Sequence, residues 1–170
     1  MDSFENCLAF VLQSEGGYSD DPADPGNWTA GIVGEGELRG TKCGISAAAY
    51  PMLDIRNLTQ QQIEDIYRRD YFLPVRGSEL PQPLAMVAFD AAVNVGVRRS
   101  VMLLQQSAGV AADGVLGDVT LKALNRGNAC ELASDALARR LAYYAELPSW
   151  KEFGLGWTKR ILKLAQRIDC

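Results

Sequence analysis

At 170 residues, 48% apolar and 22% charged, the chain suits one compact domain, or one domain with a small second lobe. It contains no histidine, which excludes Ser–His–Asp hydrolysis, Cys–His peptidases and imidazole-ligated metals, and leaves carboxylate, hydroxyl and amide chemistry. The net charge of −4 hides thirteen acids against six bases over residues 1–80 and eleven bases against eight acids over 81–170, with no concentrated basic face for nucleic acid.

Asp2 with Glu5 forms a capping box and starts a helix near residue 3. Phe4, Cys7, Leu8, Val11 and Leu12 recur at offsets of three and four and make one apolar stripe. The next position on that stripe is Glu15. Gly16 and Gly17 then stop the helix, as glycine does at a left-handed cap. This places Glu15 in the last turn on the packed face, where burial and the helix dipole both favour the neutral acid. A protonated carboxyl at neutral pH is what protonating a glycosidic leaving group requires. The alternative is that Glu15 leaves the stripe early and points to water.

YSDDPADPGN is dense in Asp, Pro and Gly and reads as a loop. WTAGIVGEGELRGTKCGIS reads as a small β-hairpin around GEGE, and Ser46 caps a short helix through AAAY that Pro51 limits. In NLTQQQIEDIYRRDYF, Thr59 and Gln62 make a capping box, with Ile63, Ile66, Tyr67 and Tyr71 as the buried stripe. After the connection VRGSELPQP, a strongly apolar helix runs from Pro83 to Gly96. Its polar interruptions, Asp90 and Asn94, are four apart and share a face. They form either a solvent edge or a partly buried pair lining a cleft, and the second is favoured because buried polar groups need partners.

Residues 99–108 read as a helix stopped by Gly109, followed by a glycine-punctuated turn and a short helix in AADGVLGDVTLKALNRG. Glu131–Leu147 is an amphipathic helix closed by Pro148. In GWTKRILKLAQRI, Trp157, Ile161, Leu164 and Ile168 share one face, with Lys159, Arg160, Lys163 and Arg167 largely on the other. That fits a terminal helix docked on the core, or a weak contact with an anionic cell envelope. No apolar run approaches the roughly 18 residues of a bilayer span. The N-terminus lacks a basic segment ahead of its apolar residues and does not read as a secretory signal, so accumulation in the cytoplasm is expected. Cys7, Cys43, Cys130 and Cys170 show no CxxC pairing, so no zinc site is expected and free thiols are the default for all four.

EGGYSDDPADPGNWT resembles the signature of glycoside hydrolase family 108, the N-acetylmuramidases of phage endolysins and bacterial muramidases. The T-x-x-G-I of Thr41 to Ile45, YRRDYF, FDAAVNVG, and DGVLGDVTLKAL followed by FGLGW agree with that family in the expected order, over most of the chain. The resemblance implies a mostly α, lysozyme-like fold (α+β): a helical bundle with one small β-hairpin beside the active-site helix. It implies a catalytic region at 1–95 and a helical peptidoglycan-binding-like region at 96–170 packed on it as one compact unit. It further implies cleavage of peptidoglycan between N-acetylmuramic acid and N-acetylglucosamine, with Glu15 as the catalytic acid and no cofactor or metal. Lysis or wall remodelling follows, after release to the periplasm through a holin or a dedicated export system. A monomer is expected.

One departure stands out. NWTAGIVGEGELRG lies between the Asp-Pro-Gly loop and the T-x-x-G-I element, so two threonines compete. Asp24 and Thr29, nine and fourteen residues after Glu15, resemble the Glu, Asp, Thr spacing of phage-type lysozymes, whereas Thr41 matches the family element. Asp24 is the first candidate to stabilise the sugar cation or activate water, with Asp20 and Asp21 as alternatives, although aspartate favours turns in any case. A threonine hydroxyl would hold the attacking water. Tyr18 and Trp28 either stack on sugar rings or pack the hairpin, and Asp90 and Asn94 are further substrate contacts. Two other classes stay open: a lytic transglycosylase, which leaves an anhydro sugar, and a non-catalytic peptidoglycan-binding or secretion-assisting protein, against which an intact Glu15 speaks.

Overall fold

The computed structural model describes residues 3–168 and Cys170. Asp2, and with it the expected N-terminal capping box, lies outside them. Seven α-helices and a three-stranded antiparallel sheet are present among the described residues, the mostly helical, lysozyme-like class the sequence implies. Packing divides the chain into two compact units, one of the first seven residues with Arg68–Cys170, the other of Leu8–Tyr67. In the first of these the apolar helix α3 (Gln82–Val95) packs on α4 (Val97–Ser107) and α6 (Ala129–Ala145). Nine consecutive residues of α3, Leu84 to Ala92, are buried, so it serves as the core of this unit and not as an amphipathic edge.

Within that larger unit, Phe4, Phe72 and Phe89 meet edge to face, with centroids 5.1 to 6.0 Å apart. Phe72 takes the place that the helical period assigned to Tyr71. The cause is a π turn over Arg68–Phe72, whose extra residue per turn advances the buried face by one position. The loop before α5 (Asp118–Arg126) is folded around the buried Gln105. The Gln105 amide donates to Asp113 Oδ1 at 2.7 Å, Val115 O at 3.0 Å and Thr120 Oγ1 at 3.1 Å, and its oxygen accepts from Gly114 N at 2.9 Å. These bonds, with the Val115 amide, hold the Asp113 carboxyl below the usual aspartate value.

Asn128 caps α6 by accepting from the amides of Cys130 and Glu131. The last helix, α7 (Trp150–Arg167), begins just after Pro148 and is longer than the sequence period showed. Trp157 stacks on Tyr144 at 4.7 Å, and Ile161, Leu164 and Ile168 are buried as expected. Cys130 and Cys170 form a disulfide, which corrects the expectation of four free thiols. Cys7 and Cys43 are in no disulfide.

The smaller unit holds the remainder of α1 (Ser3–Ser14), the strands β1 (Tyr18–Ser19), β2 (Thr41–Lys42) and β3 (Ile45–Ser46), and α2 (Gln60–Tyr67). The stripe of α1 is buried as read, with Phe10 added and Leu12 half-buried. The strand order is β1-β2-β3. The regular hairpin is therefore β2–β3, and not the GEGE segment, which is closed by a single bridge between Trp28 and Leu38. The residues after Ser46 make a capped turn in place of the expected short helix. At α2 the capping box forms as read: Thr59 N donates to Gln62 Oε1 at 2.8 Å and Gln62 N to Thr59 Oγ1 at 3.3 Å.

Candidate active site

Glu15 is the first residue beyond α1 and is half-buried. Neither Gly16 nor Gly17 has a positive φ, so the helix does not end in the left-handed cap that the glycine pair suggested. The chain instead runs directly into the sheet: Gly16 O accepts from Cys43 N at 3.2 Å, and Tyr18 pairs with Lys42. A Cβ on Gly16 or Gly17 would meet nothing within 4 Å, so bare backbone beside Glu15 faces open space.

The turn that Gly16 contacts is a two-residue β-hairpin. Lys42 and Ile45 pair across it, and Cys43 and Gly44 at its tip have φ of 49° and 75°. Positive φ at both tip residues matches the twist of the strands, and glycine accepts it freely where cysteine does not. Gly44 also meets a spatial demand. A Cβ there would stand 2.8 Å from Glu15 Oε2 and 2.9 Å from the Tyr67 hydroxyl oxygen. The carboxylate and the phenol are therefore neighbours across one bare patch. Tyr67, the buried last residue of α2, donates its hydroxyl to Cys43 O at 2.8 Å, which fixes the hairpin tip against α2. Sequence reasoning placed Tyr67 in the core only and gave Gly44 no role. Their signal was membership in YRRDYF and T-x-x-G-I.

The other candidates are distributed unevenly. Asp24 is exposed, and its Oδ1 accepts from Gly26 N at 2.8 Å, capping the 3-10 turn Pro25–Asn27. Asp21 Oδ1 accepts from Ala23 N at 2.9 Å, and Asp20 pairs with Arg56 at 2.8 Å. The Thr29 hydroxyl accepts from Glu37 N at 2.9 Å, while Thr29 N donates to Glu37 O, so this threonine clamps the inserted loop. Thr41 sits in the middle strand, paired with Ser19 and Ser46. Trp28 donates its ring N–H to Pro22 O at 3.0 Å, closing the Asp-Pro loop.

Asp90 requires a correction. It is 1% exposed, and both its oxygens are taken: Arg140 Nη1 donates to Oδ2 at 2.6 Å and Arg160 Nε to Oδ1 at 2.9 Å. Arg140 is itself fully buried and donates from Nε to the Tyr144 hydroxyl at 2.9 Å; burial pushes that phenol's pKa up. The carboxylate thus neutralises buried guanidinium instead of facing a cleft. Arg160 was placed on the basic outer face by period, and it turns inward for the same reason. Asn94 is exposed and donates to Asp90 O at 2.9 Å, an intrahelical bond.

An open groove of about 460 Å³ lies beside β1. It is lined by Tyr18, Asp20, Leu38, Arg39, Met52, Asp54 and Arg56. Glu15 is not among the lining residues; Tyr18, three residues on, is the nearest in sequence. Among the described residues, no group of three or more Cys, Asp or Glu side chains is arranged to hold a metal ion.

Of the candidate carboxylates, Glu15 is half-buried and lies beside open backbone. The class is that of a glycoside hydrolase. Residues 8–96 match the model of the family described as Glycosyl hydrolase 108, and the chain belongs to that family. Among solved structures it is similar to that of SagA from Brucella abortus, at 32% sequence identity and a TM-score of 0.80, over 96% of this chain and 92% of that one. No curated protein matches it.

Proposed function

We propose that this glycoside hydrolase is an N-acetylmuramidase that cleaves the glycan strand of peptidoglycan, with Glu15 as the general acid. The observation that carries the proposal is the Glu15 carboxyl set against Gly44 and the Tyr67 hydroxyl, next to the bare backbone of Gly16 and Gly17. The open space beside that backbone leaves room for a polymer strand. Glu15 gives its proton to the glycosidic oxygen as the C–O bond breaks and positive charge builds on the departing sugar ring. Water then adds to that carbon and loses its proton. Asp24, tied to Gly26 N through one oxygen, keeps its second oxygen for the cation or the water. Thr41 is assigned the hydroxyl that orients water or substrate, because Thr29 already holds Glu37. Trp28 is the assigned glycan contact.

The reading puts the enzyme's work outside the cytoplasm, in the cell wall, and the Cys130–Cys170 disulfide fits an oxidising compartment. The exposed Lys159, Lys163 and Arg167 of α7 would supply a weak contact with an anionic envelope. Mass spectrometry of peptidoglycan digests tests the function. Fragments that have gained water, with muramic acid at the reducing end, are expected. Anhydro fragments would identify a lytic transglycosylase instead, and an undigested polymer would identify a non-catalytic protein.

A further inference from the structure

The groove beside β1 is built for something other than a bare sugar. Neutral sugars are held by open aromatic faces and hydrogen bonds, but the only aromatic side chain in this groove, Tyr18, has Arg56 over its ring at 4.4 Å. The walls carry both charges. Arg56 is partnered by Asp20 at 2.8 Å, and Arg39 is braced by Glu37 at 2.7 Å and by Pro51 O at 2.9 Å. Asp54 is held by the Asn57 side chain at 2.9 Å, a bond that keeps its carboxyl below the usual aspartate value. The apolar part is Leu38 and Met52, and Met52 is 89% exposed. Two fixed cations, two carboxylates and two apolar side chains thus share one open groove, within the size range of ligand sites.

Two of these residues, Leu38 and Arg39, come from the insertion that separates the Asp-Pro-Gly loop from T-x-x-G-I. The Thr29–Glu37 clamp and the Trp28–Leu38 bridge hold that insertion in place, so the wall is preformed. Tyr18, the first residue of β1, is three residues from Glu15.

We propose that this groove binds the peptide stem of peptidoglycan, and that the insertion makes the enzyme selective for strands that still carry their peptides. The proposal rests on the muramidase reading above. A stem presents what the walls complement: carboxylates for Arg39 and Arg56, an ammonium for Asp54 and Asp20, and alanine methyl groups for Leu38 and Met52.

The test compares kcat/KM on glycan strands with intact peptides against the same strands stripped by an amidase. The ratio of the two cancels any change in the fraction of folded enzyme. The wild-type ratio should exceed one by about tenfold, the effect of one or two lost charge-assisted hydrogen bonds, and R56Q and D54N should each move it most of the way toward one. In parallel, calorimetry on E15Q should show a disaccharide-peptide binding more tightly than the peptide-free disaccharide, with the difference reduced in the E15Q/R56Q double variant. Equal cleavage of both polymers by the wild-type protein overturns the proposal alone. So does an equal loss on both polymers in R56Q and D54N, which would make the groove a sugar subsite. Cleavage of neither polymer overturns the muramidase reading and this proposal with it.

Discussion

Replacing Gly44 by alanine adds one methyl group at the point where the hairpin tip meets the candidate acid. Its backbone cost comes from φ of +75°, a conformation that costs a residue with a Cβ about 1–2 kcal/mol. For a chain of this size that corresponds to a melting temperature lowered by about 2–8 °C. The second cost is local. A methyl carbon at 2.8 Å from Glu15 Oε2 and 2.9 Å from the Tyr67 oxygen is well inside ordinary contact, so the carboxyl must retreat by about 0.5 Å. Tyr67 cannot absorb the strain, since its hydroxyl is held by Cys43 O at 2.8 Å in a buried position. Displacements approaching 1 Å at a reacting group cost about a hundredfold in rate, so kcat should fall by about ten- to a hundredfold. G109A is the matched control. Gly109 has φ of +67° and a Cβ there would meet nothing within 4 Å, so it incurs the backbone cost without the crowding. Release of reducing ends from purified peptidoglycan, with thermal melts on the same preparations, measures both effects. If G44A is folded and as active as G109A, the geometry argued for Glu15 is wrong.

Three further outcomes follow from the packing. D90N leaves Arg140 and Arg160 facing a neutral amide and should lower stability by about 3–5 kcal/mol in denaturant titrations, whereas N94A should cost under about 1 kcal/mol; wild-type stability in D90N would refute the buried ion cluster. Asp113 has a folded-state pKa below its unfolded value, so its contribution is complete above about pH 4 and is lost as pH falls through the lower folded value. The melting-temperature gap between wild type and D113N should therefore close as pH falls below about 4, and a gap that widened on acidification would contradict the Gln105 hydrogen bond as its cause. The Cys130–Cys170 disulfide spans 40 residues, which the chain-entropy relation converts to about 4 kcal/mol. The C130S/C170S variant should lose about that much, and reducing agent should destabilise the wild type but leave the double variant unchanged.

Much of the fold was legible because local rules and tertiary packing agree. The stripe of α1, the Thr59–Gln62 box and the buried face of α7 follow from period and capping alone. The departures each have a local or a distant cause. The π turn at Arg68–Phe72 slipped the register by one, so Tyr71 yielded its core position to Phe72. The hairpin moved to 41–46 because Cys43-Gly44 supplies two positive-φ residues between paired positions, a stronger local signal than GEGE. Asp90 and the two cysteines depend on partners 40 to 70 residues away, which no spacing rule reaches. At the site, Glu15 was visible from its place on the stripe, and Gly44 only through its motif. The groove was invisible because residues from 18, 38–39 and 52–56 build it.

The central claim is that Glu15 supplies the proton for glycosidic cleavage, and E15Q tests it most directly. The amide keeps the shape of the side chain and loses the transferable proton. Turnover of purified peptidoglycan by E15Q should fall at least a thousandfold, below detection in most assays, while circular dichroism and melting stay close to wild type. Turnover near the wild-type level in correctly folded E15Q would contradict the assignment.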